Sequence, residues 1–201
     1  MRSLLILISC VFLSLVLQAQ SQAGIEQYHY IGDPNSSSVV PVIHYKTSKG
    51  WYGEARYNYD EANTFSILGG KTFSLNSRWL IDVTPMAGIA AGRMSGWTGG
   101  VNLFIEKNQF FFSTQSQYTR STTTGYQNFL FNWCELAYQP FSWLYGGVSI
   151  QHTHVLDEKP LFEPGFMVGP SVGQLSFPLY VFNTFSSKRF FVLGVNYEWG
   201  R

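Results

Sequence analysis

The sequence is short of charge. Asp, Glu, Lys and Arg make up 12% of its 201 residues, against about 25% in ordinary soluble domains. It is also short of cysteine. Only Cys10 and Cys134 are present, and Cys10 lies in the N-terminal segment discussed below, so no intrachain disulfide can staple an exported product. Past residue 23 no run is apolar enough for a helical span of about 20 residues. No segment of useful length there has the 3.6-residue period of an amphipathic helix. The balance of 13 basic and 12 acidic residues lacks the basic footprint of a nucleic-acid binder. There is no GxSxG, CxxC, HExxH or phosphate-cradling glycine loop. Nothing in the pattern calls for a cofactor or a metal site.

What remains is aromatic, glycine-rich and alternating. Phe, Trp and Tyr account for 17% of the chain, with 19 Gly. At the N-terminus, Arg2 precedes an apolar run, Leu4 to Leu17, followed by the small polar stretch QAQSQA ending at Ala23. This is the layout of a cleaved secretory signal peptide, so residues 1–23 are assigned to it and 24–201 to one domain. Cleavage after Ala19 or Ser21 also fits. Leu7-Ile8-Ser9-Cys10 resembles a lipobox, but the apolar run continues through Val11, Phe12 and Leu13. Losing Arg2 leaves the exported part with twelve charges of each sign.

Period two dominates the rest. In 190–199, Phe191, Leu193, Val195, Tyr197 and Trp199 share one face. In 51–60, Trp51, Gly53, Ala55, Tyr57 and Tyr59 alternate with Tyr52, Glu54, Arg56, Asn58 and Asp60. Twelve such segments can be drawn: 25–31, 39–48, 50–60, 63–74, 79–92, 97–106, 109–120, 126–138, 142–154, 162–173, 175–186 and 189–199. Most are near the roughly 9–11 residues that cross a bilayer at a tilt. An even count closes antiparallel, with no unpaired edge in lipid. The connections alternate between tight turns and longer loops such as GDPNSSS and VLDEKPL, the asymmetry of transmembrane barrels. The expected fold is therefore an all-β antiparallel transmembrane β-barrel of twelve strands. Ten strands are the alternative, because Pro41, Pro85, Pro164, Pro170 and Pro178 fall inside proposed strands. A soluble β-sandwich is the rival class. Segments 109–120, 126–138 and 142–154 fit alternation poorly around Phe110 to Phe112 and Glu135, which suggests a bulge in one of them.

The C-terminal residues Val192-Leu193-Gly194-Val195-Asn196-Tyr197-Glu198-Trp199 resemble the C-terminal assembly signal of bacterial outer-membrane barrels. Gly194, Tyr197 and Trp199 match its glycine and aromatic positions. Val192 stands where that pattern has a polar residue, and Gly200 and Arg201 extend past the usual terminal aromatic. The resemblance implies the bacterial outer membrane, with outer-membrane lipid and the barrel assembly machinery as partners.

If Trp51, Ile81, Val101 and Leu193 meet lipid, then Glu54, Arg56, Asp82, Glu106 and Glu198 point into the lumen, because a charge in mid-bilayer costs roughly 2–4 kcal/mol for Arg or Lys. His44 and Lys46 join them if Ile43 and Tyr45 face out. Bulky inward residues (Tyr52, Leu80, Met86 and Phe104) are expected to close the bore at mid-height around the paired charges. The leading function is a structural or narrow solute-conducting barrel, porin-like, with a small solute as its cargo. Two rivals are a lipid-acting hydrolase using Ser149, His152 and His154, and a surface module presenting loops 32–38 and 155–161. Ser, His and carboxylate are hydrolytic ingredients. Outer-membrane lipid A deacylases are similar in type, but their His and Ser stand two residues apart, whereas the residue two after His152 is His154. Alternation also sets Ser149 and His152 on opposite faces, so no catalytic residue is assigned.

Overall fold

The computed structural model describes residues 21–32, 39–156 and 158–200. The apolar N-terminal run and most of the 32–38 loop lie outside them. Fourteen hydrogen-bonded segments follow in chain order: β1 (Gln22–Ile31), β2 (Val39–Lys46), β3 (Trp51–Tyr57), β4 (Thr64–Lys71), β5 (Phe73–Asn76), β6 (Leu80–Gly92), β7 (Gly96–Lys107), β8 (Phe110–Ser121), β9 (Phe129–Phe141), β10 (Leu144–Val155), β11 (Leu161–Val172), β12 (Leu175–Ser176), β13 (Leu179–Phe182) and β14 (Phe190–Trp199).

They make twelve staves. β4 and β5 both pair with β6 and are parted only at Thr72, whose N–H turns to the Gly50 carbonyl at 2.7 Å. β12 and β13 both pair with β11 and β14 and are parted at Phe177-Pro178. Proline has no N–H to give the ladder, but its carbonyl still accepts from Gly194 at 2.7 Å. Consecutive staves pair antiparallel, and β1 pairs with β14 from Ala23↔Trp199 to Ile31↔Phe191. The sheet is a closed barrel of twelve strands, which settles the count against ten and leaves no edge of the kind a sandwich has.

The prolines are accommodated rather than disruptive. Pro41, Pro85, Pro164 and Pro170 sit within strands, and only Pro178 falls at an interruption. Tight turns at 47–50, 77–79, 108–109, 142–143 and 173–174 share one end with the β1 start and the β14 end; the longer connections share the other. In the two-residue turn 173–174, Gly173 takes φ +61°, the first-position glycine that a type II′ hairpin requires.

Two features depart from simple alternation. β9 runs three residues later than 126–138, and its pairing with β10 shifts from Leu144↔Phe141 to Gly146↔Tyr138. That bulge falls in two of the three segments that fit alternation poorly, but Glu135 and Phe110 to Phe112 themselves pair in unbroken register. In the other, strand β3 stops at Tyr57. Asn58 adopts a left-handed φ of 58°, tolerated by Asn better than by most residues. The chain turns there, so Tyr59 faces the lumen instead of sharing the outer face with Trp51 and Tyr57.

The core is the barrel interior. Phe182, Phe190 and Val192 pack with Trp133, Ala137, Met167 and Tyr180 along one inner wall. The outer wall exposes large apolar groups, among them Ile43, Trp51, Ile67, Ile89, Phe166 and Leu193. On a surface in water this belt would be a liability; in hydrocarbon it is the expected lipid face.

Candidate functional site

Two chambers of the lumen are lined by the described residues. One, of about 390 Å³, lies toward the tight-turn end. Its lining includes His44, Lys46, Glu54, Arg56, Asp82 and Glu198. Strand alternation puts them there: each faces inward because its sequence neighbours, such as Ile43 and Tyr57, face out. Glu106 shares the inward face of β7 with Asn102 and Phe104, but it pairs in register with Leu80 near the strand end and lies outside the chamber lining. Of the expected bulky residues, Tyr52 and Phe104 line the chamber, and Met86 is buried in the interior.

The charges are organised by pairing. His44 lies between two carboxylates, its Nε2 3.1 Å from Glu198 and its Nδ1 3.6 Å from Glu26. Gly24 makes this clasp possible, since a Cβ there would stand 2.5 Å from both the His44 ring and the Glu198 carboxylate. Among the described residues these three are the one His–carboxylate group whose ligand atoms all come within 4.8 Å of one another. Lys46 Nζ donates to Asp82 Oδ2 at 3.2 Å. Glu135, hard to phase in the sequence, faces in and accepts from Ser113 Oγ at 3.2 Å.

Arg56 is the pivot of the constriction. Its side chain is 1% exposed. Its Nε donates to Glu54 and its Nη1 to Gln117, while its guanidinium lies 4.2 Å from the Tyr59 ring centre. Nη2 has no protein partner among the described residues. Glu54 also accepts from the Tyr52 hydroxyl. The 58–63 turn folds inward on the far side. There Asp60 accepts from Ser66 and Gln117, and from Thr119 Oγ1 at 3.3 Å. Tyr59 donates to Gln115 at 2.6 Å. Burial holds the Tyr59 phenol well above its ordinary pKa, so it stays a neutral donor. Opposite this polar knot stand Trp133 and Tyr28, 5.4 Å apart between ring centres.

Past the constriction a second chamber of about 690 Å³ opens toward the longer loops, lined in part by Tyr59, Asp60, Arg93, Gln151 and Glu163. Tyr59 borders both chambers. The bore is thus narrowed by Arg56, Tyr59, Gln117 and the aromatic wall. Leu80, expected to help close it, lies instead at the start of β6.

The hydrolytic candidates separate. Ser149 is buried in the inner wall, where it accepts from Trp133 Nε1 at 2.8 Å and donates to the Cys134 carbonyl at 3.3 Å. His152 and His154 alternate with buried Ser149 and Gln151 and point outward with Val148. Serine and imidazole are divided by the barrel wall, so neither can activate the other.

Sequence reasoning missed Trp133, Glu135, Glu26 and Tyr180 as lining residues and Gln117 as a partner of Arg56. All face in, but on strands whose outer face is itself polar or whose inner face is apolar, so polarity did not reveal the phase.

No protein-family model and no curated protein matches the chain. Solved structures do. A KdgM porin superposes with TM-score 0.61 at 10% identity, over 87% of this chain and 98% of that one. A KdgM porin in complex with disordered oligogalacturonate gives 0.58 at 10% identity, over 88% and 98%. A NanC porin gives 0.56 at 10% identity, over 87% and 98%. The fold is that of the KdgM and NanC porins. At this identity the likeness concerns the backbone, and the lumen chemistry has to be read from this chain's own residues.

Proposed function

We propose that the chain is an exported bacterial outer-membrane barrel that conducts small cations or neutral solutes through a narrow lumen. One observation carries this reading: a closed wall, apolar outside, surrounds an acidic interior narrowed at Arg56. Five carboxyl groups (Glu26, Glu54, Asp82, Glu135 and Glu198) face the 390 Å³ chamber, against Lys46, Arg56 and His44. Arg56 and Lys46 are each tied to a carboxylate, which leaves Glu26, Glu135 and Glu198 with His44 as the one remaining basic group of the lining. Such a lining favours cations and opposes a polyanion. A substrate like the oligogalacturonate of the KdgM complex is therefore not the cargo expected here.

The outer-membrane assignment rests on the porin fold, the signal-like N-terminus and the last strand. Leu193, Val195, Tyr197 and Trp199 present an outward apolar and aromatic face in β14, the face the barrel assembly machinery would receive. The hydrolase reading draws no support from the divided Ser149 and His152.

Cell fractionation and gel mobility before and after boiling test the location. A heat-modifiable band in the outer-membrane fraction is expected; a soluble periplasmic product would contradict it. Reversal potentials across a planar bilayer in a KCl gradient test the selectivity. Cation preference is expected, and anion preference would refute the charge argument.

A further inference from the structure

The outer wall of β8–β10 breaks the apolar belt. Outward positions there carry Thr114 and Ser116 on β8, Asn132 and Cys134 on β9, and His152 on β10. Register sets Thr114 beside Cys134, and Ser116 beside Asn132 beside His152. The Thr114–Cys134 row lies well inside the strands, Cys134 being the sixth of the thirteen residues of β9. The Ser116–Asn132–His152 row lies one step nearer the longer loops, with Tyr118 and Leu130 outward beyond it, and Leu136, Val148 and Phe166 continue the apolar surface toward the tight-turn end.

The patch is organised. Asn132 Nδ2 donates to Thr114 Oγ1 at 3.0 Å and to Ser116 Oγ. The Cys134 thiol sits 2.9 Å from Asn132 Oδ1 and 3.1 Å from Thr114 Oγ1. The His152 ring makes no hydrogen bond within the described chain. Polar groups in hydrocarbon need partners, and among the described residues this imidazole has none if lipid covers it.

We propose that this face is the contact between two copies of the chain, related by a two-fold axis along the membrane normal. The inference rests on the membrane reading above. A second copy is favoured for three reasons. Every copy inserts in the same orientation, so the same rows meet at the same height, which a two-fold contact requires. Ser, Thr, Asn and neutral His each offer both a donor and an acceptor, so the patch is complementary to itself. Small polar side chains also let two walls approach closely and bond across the seam, as at membrane helix interfaces.

Cys134 is the built-in probe. Outer membranes holding the full-length protein are treated with a short bis-maleimide and run on a denaturing gel. A band at twice the monomer mass is expected, lost in Cys134→Ser. A Cys134→Ser/Ile43→Cys variant moves the thiol six staves away, to an outward site on β2, and should give no such band. Sedimentation of the detergent-solubilised protein should report a dimer, with Asn132→Leu/His152→Leu reduced to a monomer that keeps its heat-modifiable band. Equal cross-linking at both sites would mean random collision and overturn the proposal. A wild-type monomer, with or without lipid held at the patch, would overturn it too. Loss of the heat-modifiable band in wild type would instead strike the membrane reading itself.

Discussion

Replacing Arg56 by methionine keeps most of the side chain's volume and removes its charge. Two charge-assisted hydrogen bonds, to Glu54 and Gln117, and the contact with the Tyr59 ring disappear. The larger consequence falls on Glu54, itself 6% exposed. Removing one partner of a buried ion pair costs roughly 3–5 kcal/mol, because the other charge is left uncompensated. Here Glu54 keeps the Tyr52 hydroxyl and borders a chamber roomy enough for water, so the cost should fall near the lower end, about 3 kcal/mol. Equilibrium unfolding by guanidinium in phospholipid vesicles, followed by tryptophan fluorescence, reads it. Adding Glu54→Gln removes the stranded charge, so the double variant should regain more than half of the loss. An Arg56→Met barrel within about 0.5 kcal/mol of wild type, or a double variant whose loss is the sum of the two single losses, would refute the claim that this pair is held as a unit.

Three further outcomes are expected. Phe182 is fully buried, with ring centres 5.0 Å from Phe190 and 5.9 Å from Tyr180, so Phe182→Ala should cost about 3–5 kcal/mol in the same unfolding assay, while Phe185→Ala, at 95% exposure, should cost under about 0.5 kcal/mol. Gly173→Ala should cost about 1–2 kcal/mol from the left-handed backbone alone, since an added Cβ meets nothing within 4 Å; no change in stability would mean that the turn relaxes. The mature protein should retain Gln22 and Ala23 by intact mass, as cleavage after Ala19 or Ser21 leaves them, because both pair in the barrel with Lys46, Tyr45 and Trp199; a chain beginning at Gly24, as cleavage after Ala23 would give, would contradict this.

The staves and their order were legible because the lipid face imposes period two over most of the chain. The inward expectation for His44, Glu54 and Asp82 comes from flanking residues such as Ile43, Ala55 and Ile81, and these three side chains line the smaller chamber. One physical situation hid much of the rest. On β8–β10 the outer face holds Thr114, Asn132 and His152 while the inner face holds Trp133, so the usual polarity contrast is lost or reversed. On β14 both faces are apolar, Phe190 and Val192 inside and Phe191 and Leu193 outside, and Glu198 marks which of them faces the bore. Tyr59 was misplaced for another reason. One left-handed Asn58 ends the strand and re-aims the next side chain, and no periodicity anticipates a change of backbone sign. The partners of Arg56 were hidden by distance in sequence: Gln117 lies 61 residues away and is brought near only by closure.

A membrane barrel whose bore is narrowed at Arg56, Tyr59 and Gln117 should pass little current. Single-channel recording in planar bilayers compares wild type with Arg56→Ala. A small wild-type conductance that rises when the guanidinium is removed is expected. A large, steady and weakly selective wild-type conductance, unchanged by the substitution, would contradict it.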